Sequence, residues 1–270
     1  MTYDFNPLIN TNPANSGAAG DNSAFYAPYQ GYGAINTLSS RQWQVWNGLE
    51  AQLKHPVTKS LYASVAYTWS HNTYNGSVVD PYNTKRYHGN TDGLNYPQSM
   101  SITLMYTLPL FQHSHGVGNI LLGGWRISDI STFRAGSSIT PGLSKSFQGL
   151  AARPDIVPGT TTTNGPKTWK IGSTQQWFNT AAFQNPANGY YGNAQTGIIR
   201  GPGQQISNLS LFKQFTIREK HLVEFRAESF NTFNHTNPGN PNATLGNANY
   251  GKVTSALDPR ILEFALRYKF

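Results

Sequence analysis

The chain has 270 residues, with 20 Lys and Arg against 12 Asp and Glu, a formal charge of +8 at pH 7. Charged residues make up 12% and hydrophobic residues 38%, below the roughly 25% and 45–50% of an ordinary soluble globule. Strand and turn formers fill the gap, with 26 Gly, 16 Pro and 15 Tyr, and they argue against a helical protein. The 13% aromatic content is too high for a disordered chain. Cysteine is absent, which excludes disulfide scaffolds, zinc ribbons and thiol chemistry. No run of about 18 apolar residues exists, so a membrane-spanning helix is excluded. The basic residues are scattered without a run of five, so no nucleic-acid partner is expected.

Period-two alternation dominates and predicts seven strands. The first covers 46–54, with Leu49, Ala51 and Leu53 on one face. In 61–71, Leu61, Ala63, Val65, Tyr67 and Trp69 oppose Tyr62, Ser64, Ala66, Thr68 and Ser70. In 97–108, Met100, Ile102, Leu104 and Tyr106 oppose Ser99, Ser101, Thr103 and Thr107. Two weaker strands follow, 119–134 around Trp125 and Ile127, and 206–216 with Leu209, Leu211 and Phe215. In 222–233, Val223, Phe225 and Ala227 oppose Glu224, Arg226 and Glu228. In 261–270, Leu262, Phe264, Leu266, Tyr268 and Phe270 oppose Ile261, Glu263, Ala265, Arg267 and Lys269. No helical period is visible, and no helix is predicted.

Most of these strands run to about 9–12 residues, against a usual 5–6, and a strand tilted across a bilayer needs about 9–11. Their connections alternate short and long, as in a meandering barrel with tight turns on one rim and extended loops on the other. The fold class is therefore all-β, an antiparallel meander of long strands forming part of a transmembrane β-barrel with long surface loops. Residues 1–45 have loop composition and read as one more extracellular loop, with 46–270 as the C-terminal part of the barrel. Seven is an odd number where single-chain bacterial barrels have even ones, so further strands are expected upstream. Met1-Thr2-Tyr3-Asp4-Phe5-Asn6 has no basic start and no apolar core, so any export signal is expected outside these residues.

Candidate chemistry is sparse. Gly246-Asn247-Ala248-Asn249-Tyr250-Gly251-Lys252 has phosphate-loop spacing, but Val253 stands where Ser or Thr would ligate magnesium, so a Gly-rich loop is expected. His113-Ser114-His115 has no third ligand nearby and reads as a turn. Glu224, Arg226, Glu228, Glu263, Arg267 and Lys269 are expected to form a charge ladder facing a polar barrel lumen rather than an acid–base pair. The loop over 137–200 carries Lys145, Arg153, Lys167, Lys170 and Arg200 against Asp155 alone, and is expected to offer these cations to anionic headgroups or ligands outside the cell. No catalytic residue, metal site or cofactor is assigned, and no enzyme is expected.

Several segments resemble the C-terminal barrel of TonB-dependent outer-membrane receptors, in particular the Oar-like group of acidobacterial genomes. They are Pro28-Tyr29-Gln30-Gly31-Tyr32-Gly33-Ala34-Ile35-Asn36, Trp46-Asn47-Gly48-Leu49-Glu50-Ala51-Gln52-Leu53, Trp177-Phe178-Asn179-Thr180-Ala181-Ala182-Phe183 and Arg200-Gly201-Pro202-Gly203. The longest runs from Leu209-Ser210-Leu211-Phe212-Lys213 through Phe225-Arg226-Ala227-Glu228-Ser229-Phe230-Asn231-Thr232-Phe233-Asn234-His235, and Pro259-Arg260 to Phe270 completes the set. The resemblance implies a bacterial outer-membrane location, uptake of a scarce small-molecule, peptide or glycan nutrient, and contact with outer-membrane lipid. It implies coupling to TonB only through a plug domain that these residues do not include. It also implies that the terminal strand, with Phe264, Leu266, Tyr268 and Phe270 on one face, is read by the barrel-assembly machinery. The alternative from a different class is a secreted or surface-attached glycan-binding β protein.

Overall fold

The computed structural model describes residues 2–4, 6, 27–38, 40, 42–56, 60–75, 80, 82–83, 87–110, 116–144, 153–162, 172, 174–187, 190–217 and 221–270. Seven long strands dominate: β1 (Gln44–Pro56), β2 (Leu61–Tyr74), β3 (Gln98–Thr107), β4 (Arg126–Arg134), β5 (Gln204–Ile217), β6 (His221–Phe230) and β7 (Ile261–Lys269). Each pairs antiparallel with its neighbour in sequence, so the sheet order is the chain order, with β1 and β7 at its two edges. The strands are 9 to 14 residues long, enough to cross a bilayer at a barrel's tilt.

Register fixes two chemically distinct faces. On one, Tyr67 pairs with Met100 and Met100 with Phe133, Val65 with Ile102, Phe225 with Leu266, and Ala227 with Phe264. On the other, Thr68 pairs with Ser99 and Ser99 with Arg134, while Gln214 pairs with Glu224 and Glu224 with Arg267. The apolar face is left open at both edges: Leu49 and Leu53 on β1 and Phe264 and Leu266 on β7 are 61–73% exposed. A soluble sheet would bury that face, and a lipid-facing wall leaves it outward with the polar face toward the lumen. A polar cluster interrupts the apolar face at β4 and β5. Asp129 accepts hydrogen bonds from Ser131 (2.8 Å) and Ser207 (2.8 Å), which satisfy both carboxylate oxygens.

The hydrophobic core lies off the sheet, among the long connections. Phe178, Ala182, Phe183, Ala194, Ile199 and Ala243 pack together, and the Phe178 ring meets those of Phe183 and Tyr250 edge-on. Short ladders tie the connections to one another: Ser138–Ile139 pairs with Ile199–Arg200, Gly142–Leu143 with Thr244–Leu245, and Asp155–Ile156 with Phe183–Gln184. The crossing at Gly136 is so close that a Cβ there would meet the Gly201 carbonyl oxygen at 1.7 Å. The long loops thus form a packed cap on one rim.

Three expectations need correction. The segment expected as strand 119–134 begins instead with a short helix, α1 (Val117–Leu122), and extended structure starts only at β4. A 3-10 turn, Thr180–Ala182, capped by the Asn179 side chain, also contradicts the expectation of no helix. Six and three residues are too short to leave a period in the sequence. The last turn of the expected strand 222–233 is lost because Asn231 adopts φ 49 and bends the chain away.

Candidate functional site in the lumen wall and loop cap

The polar face forms a groove of about 750 Å³ near the short-turn rim, lined in part by Tyr62, Arg126, Phe212, Gln214, Glu224 and Arg226. Alternation of β5 and β6 sends Phe212, Gln214, Glu224 and Arg226 to one side. The Glu224 carboxylate is 3.2 Å from the Arg226 guanidinium and accepts from the Gln214 amide at 3.2 Å. Arg226 also lies over the Phe212 ring, 5.1 Å from its centre. Arg226 keeps its outer surface in the lumen while Glu224 is mostly covered. The groove therefore offers fixed guanidinium and amide donors beside aromatic surface, a setting for holding a polar solute.

Of the six residues expected in the charge ladder, Glu224, Arg226, Arg267 and Lys269 share one neighbourhood, with Arg267 directly opposite Glu224. Glu228 stands opposite Glu263, a like-charged pair, and Lys269 opposite Leu222. The terminal-strand residues Phe264, Leu266 and Tyr268 lie along the apolar face of β7, and Phe270 follows at 95% exposure. Tyr268 is tied to the short-turn rim, its hydroxyl 2.6 Å from His221 Nδ1 with the two rings stacked.

The cap is held by buried polar side chains. Arg200 donates to the carbonyls of Asn95 (2.7 Å) and Gly136 (3.1 Å), and Trp177 donates to the Arg200 carbonyl at 2.7 Å. Arg153 donates to the Ala194 carbonyl and to Thr196 Oγ1, and its guanidinium sits 4.7 Å from the centre of the Tyr87 ring. Tyr87 in turn donates to the carbonyls of Tyr191 and Gly192. Burial holds both arginines below the ordinary guanidinium pKa. Carbonyl oxygens and an aromatic face solvate these charges in place of water.

The expectation that Arg153 and Arg200 meet external anions is therefore corrected. Both are clamps inside the cap. In a sequence, Arg carries no mark that separates a buried clamp from a surface cation. The only pointer was the rigid Gly-Pro-Gly that follows Arg200. Lys145, Lys167 and Lys170 lie outside the described residues, as does His113-Ser114-His115. The Gly246–Lys252 stretch is a set of tight turns: Tyr250 N–H donates to the Asn247 carbonyl and Lys252 Nζ to the Ala248 carbonyl. Among the described residues no three His, Asp or Glu side chains converge as metal ligands.

Asparagines organise the segments that carry the family resemblance. Asn6 Nδ2 donates to the carbonyls of Tyr29, Tyr32 and Gly33, and its Oδ1 accepts from Tyr29 N–H, so the Pro28–Gly33 loop wraps one buried side chain. Asn231 joins the end of β6 to the approach of β7, donating to the carbonyls of His235 and Asp258.

A family model described as an outer membrane beta barrel domain matches residues 2–263, and the chain belongs to that family. Its location is the bacterial outer membrane. Comparison with curated proteins and with solved structures finds no match.

Proposed function

We propose that this barrel wall belongs to a TonB-dependent receptor of the Oar-like kind, which takes up a scarce nutrient and catalyses no reaction. The observation that carries the proposal is the polar groove on the lumen face, with Arg126, Arg226 and Gln214 as donors, on a wall whose long-loop rim is closed by a packed cap. An aqueous route past fixed donors suits selective capture better than open diffusion. Energy coupling would pass through a plug domain contacting TonB. Membership of an outer-membrane family weighs against the secreted glycan-binding alternative, although a glycan remains one of the ligand classes the groove suits.

Growth of a strain lacking the gene tests this on ferric citrate or an oligosaccharide as limiting supply. The expected result is loss of growth on one of them at low supply and recovery at high supply. Equal growth throughout, with ohmic single-channel conductance of the purified protein, would make the barrel a passive pore.

A second part of the proposal concerns partners. An outer-membrane assembly machine that pairs with an exposed strand edge would find one in β7, with apolar side chains matched to lipid. Deleting Phe270, which contributes almost no buried surface, is expected to leave the protein in the periplasm for degradation while purified variant still refolds in detergent. Normal membrane levels would remove the assembly role.

A further inference from the structure

The connection between β3 and β4 is longer than a tight turn, and its helix has a defined seat. The register of β4 against β5 stops at Arg126 opposite Phe212, so residues 213–217 of β5 run on past their neighbour. That step on the apolar face is filled from the connection. Trp125 continues the alternation of Ile127 and stacks edge-on against Phe225, 6.0 Å between centres. Its indole N–H donates to the Leu121 carbonyl at 3.1 Å. Lys213, 3% exposed although it stands on the apolar face, reaches across the Trp125 and Phe215 rings to the Gly123 carbonyl. Cationic and indole donors thus hold the carbonyl end of α1, where the helix dipole is negative. Gly123 is needed for the tight exit, since a Cβ there would meet the Asn119 carbonyl oxygen at 2.8 Å.

With its C-terminal end anchored on the wall, α1 turns Ile120, Leu121 and Leu122 outward at 60%, 55% and 49% exposure, and Leu110 of the same connection is 51% exposed. Four large aliphatic side chains on one short connection are a liability in water. The helix is anchored through Trp125 and Lys213 to the apolar face of β5 and β6, which the outer-membrane assignment places against lipid. Short turns of such barrels face the periplasm. We infer that α1 is a membrane foot: it lies in the boundary of the periplasm-facing leaflet, with Ile120, Leu121 and Leu122 among phospholipid acyl chains and Lys213 drawn toward the interface by the carbonyls it caps. The foot covers the flank that β5 exposes beyond β4 and fixes the depth at which this part of the wall sits.

These 270 residues hold no cysteine, so each introduced cysteine is the single thiol on this part of the wall, and the unsubstituted protein carried through the same labelling gives the background. The test uses the full protein in native outer membranes carrying Leu121→Cys or, separately, Ile120→Cys, each bearing a nitroxide spin label, with collision rates measured for oxygen and for a water-soluble nickel chelate. Leu104→Cys, on the apolar face of β3, is the lipid reference, and Leu94→Cys, in a long-rim connection, is the water reference. The expected result is an oxygen-to-nickel ratio at Leu121 and Ile120 closer to that of Leu104, at least fivefold above that of Leu94. A ratio equal to that of Leu94 would overturn the foot. So would a label shielded from both reagents, which would mean that a protein covers the helix. A water-like ratio at Leu104 itself would instead reject the orientation of the wall, an outcome separable from failure of the foot.

Discussion

At the scale of single residues, asparagine supplies what a carbon side chain cannot. Asn231 and Asn234 sit at φ 49 and φ 51, a region most L-residues avoid. Asn231 Oδ1 accepts from His235 N–H while its amide donates to His235 and Asp258, and Asn234 Oδ1 accepts from Arg260 N–H just before β7. Asn231→Ala removes these bonds and strains the backbone, an expected loss of about 2–4 kcal/mol. Asn231→Gly keeps the conformation and is expected to lose roughly 1 kcal/mol less. Urea midpoints for protease protection in isolated outer membranes would separate the two, and equal losses would remove the conformational part. Tyr250 presents the opposite case. Its hydroxyl is buried with no partner among the described residues, and burial pushes its pKa well above the ordinary phenol value. Tyr250→Phe is expected to leave stability unchanged or raise it by about 1 kcal/mol, because an unsatisfied group is removed and the ring contact with Phe178 stays. A clear loss would mean that the hydroxyl has a partner.

At the scale of elements, the alternation of apolar and polar residues gives the sidedness of each strand directly. Leu104 and Thr103 are neighbours on β3 that the register sends to opposite faces, pairing with Ala63 and Ser64 respectively. Val65→Arg, on the same face as Leu104 and flanked by Leu53 and Ile102, puts a charge toward lipid at an expected cost of about 2–4 kcal/mol, whereas Thr103→Arg faces the lumen and is expected to cost less than about 1 kcal/mol. The readout is the amount of each variant recovered folded in the outer membrane, and equal recovery would mean that the faces are assigned wrongly. These strands were legible in the sequence because a period of two persists over nine or more residues in β3 and β7. The cap was not. Its core joins Phe178 and Ile199 of the β4–β5 connection to Ala243 of the β6–β7 connection, with no period among them. Its clamps, Arg153 and Arg200, gain their roles only when carbonyls 41 or more residues away along the chain close around them. Helix α1 leaves no sequence signal because its seat is created by the register step between β4 and β5, a relation between strands that no local window contains.

At the scale of the whole molecule, the two edges decide how the wall lives in a membrane. β1 and β7 are separated by six antiparallel steps, so they run in the same direction, and neither outer edge is paired among the described residues. In hydrocarbon every unpaired backbone N–H and C=O costs several kcal/mol. Such a wall is expected to close against further strands, and antiparallel closure between two edges of the same direction requires an odd number of them. The total is then even, as in other bacterial barrels. Charge bears on the seam as well. Glu263 on β7 faces Glu228 on one side, so a cation or a protonated partner on the closing strand would relieve a repulsion that the present wall leaves in place. Closure makes a definite prediction for amide hydrogen exchange in native outer membranes. Peptides from β1 and β7 should be protected to within about tenfold of those from β4, which is paired on both sides, since local opening free energies follow backbone pairing. Exchange in β1 and β7 that is orders of magnitude faster than in β4 would mean that the edges stay open to water. The seven strands would then act as a sheet lying against the membrane rather than as part of a closed barrel.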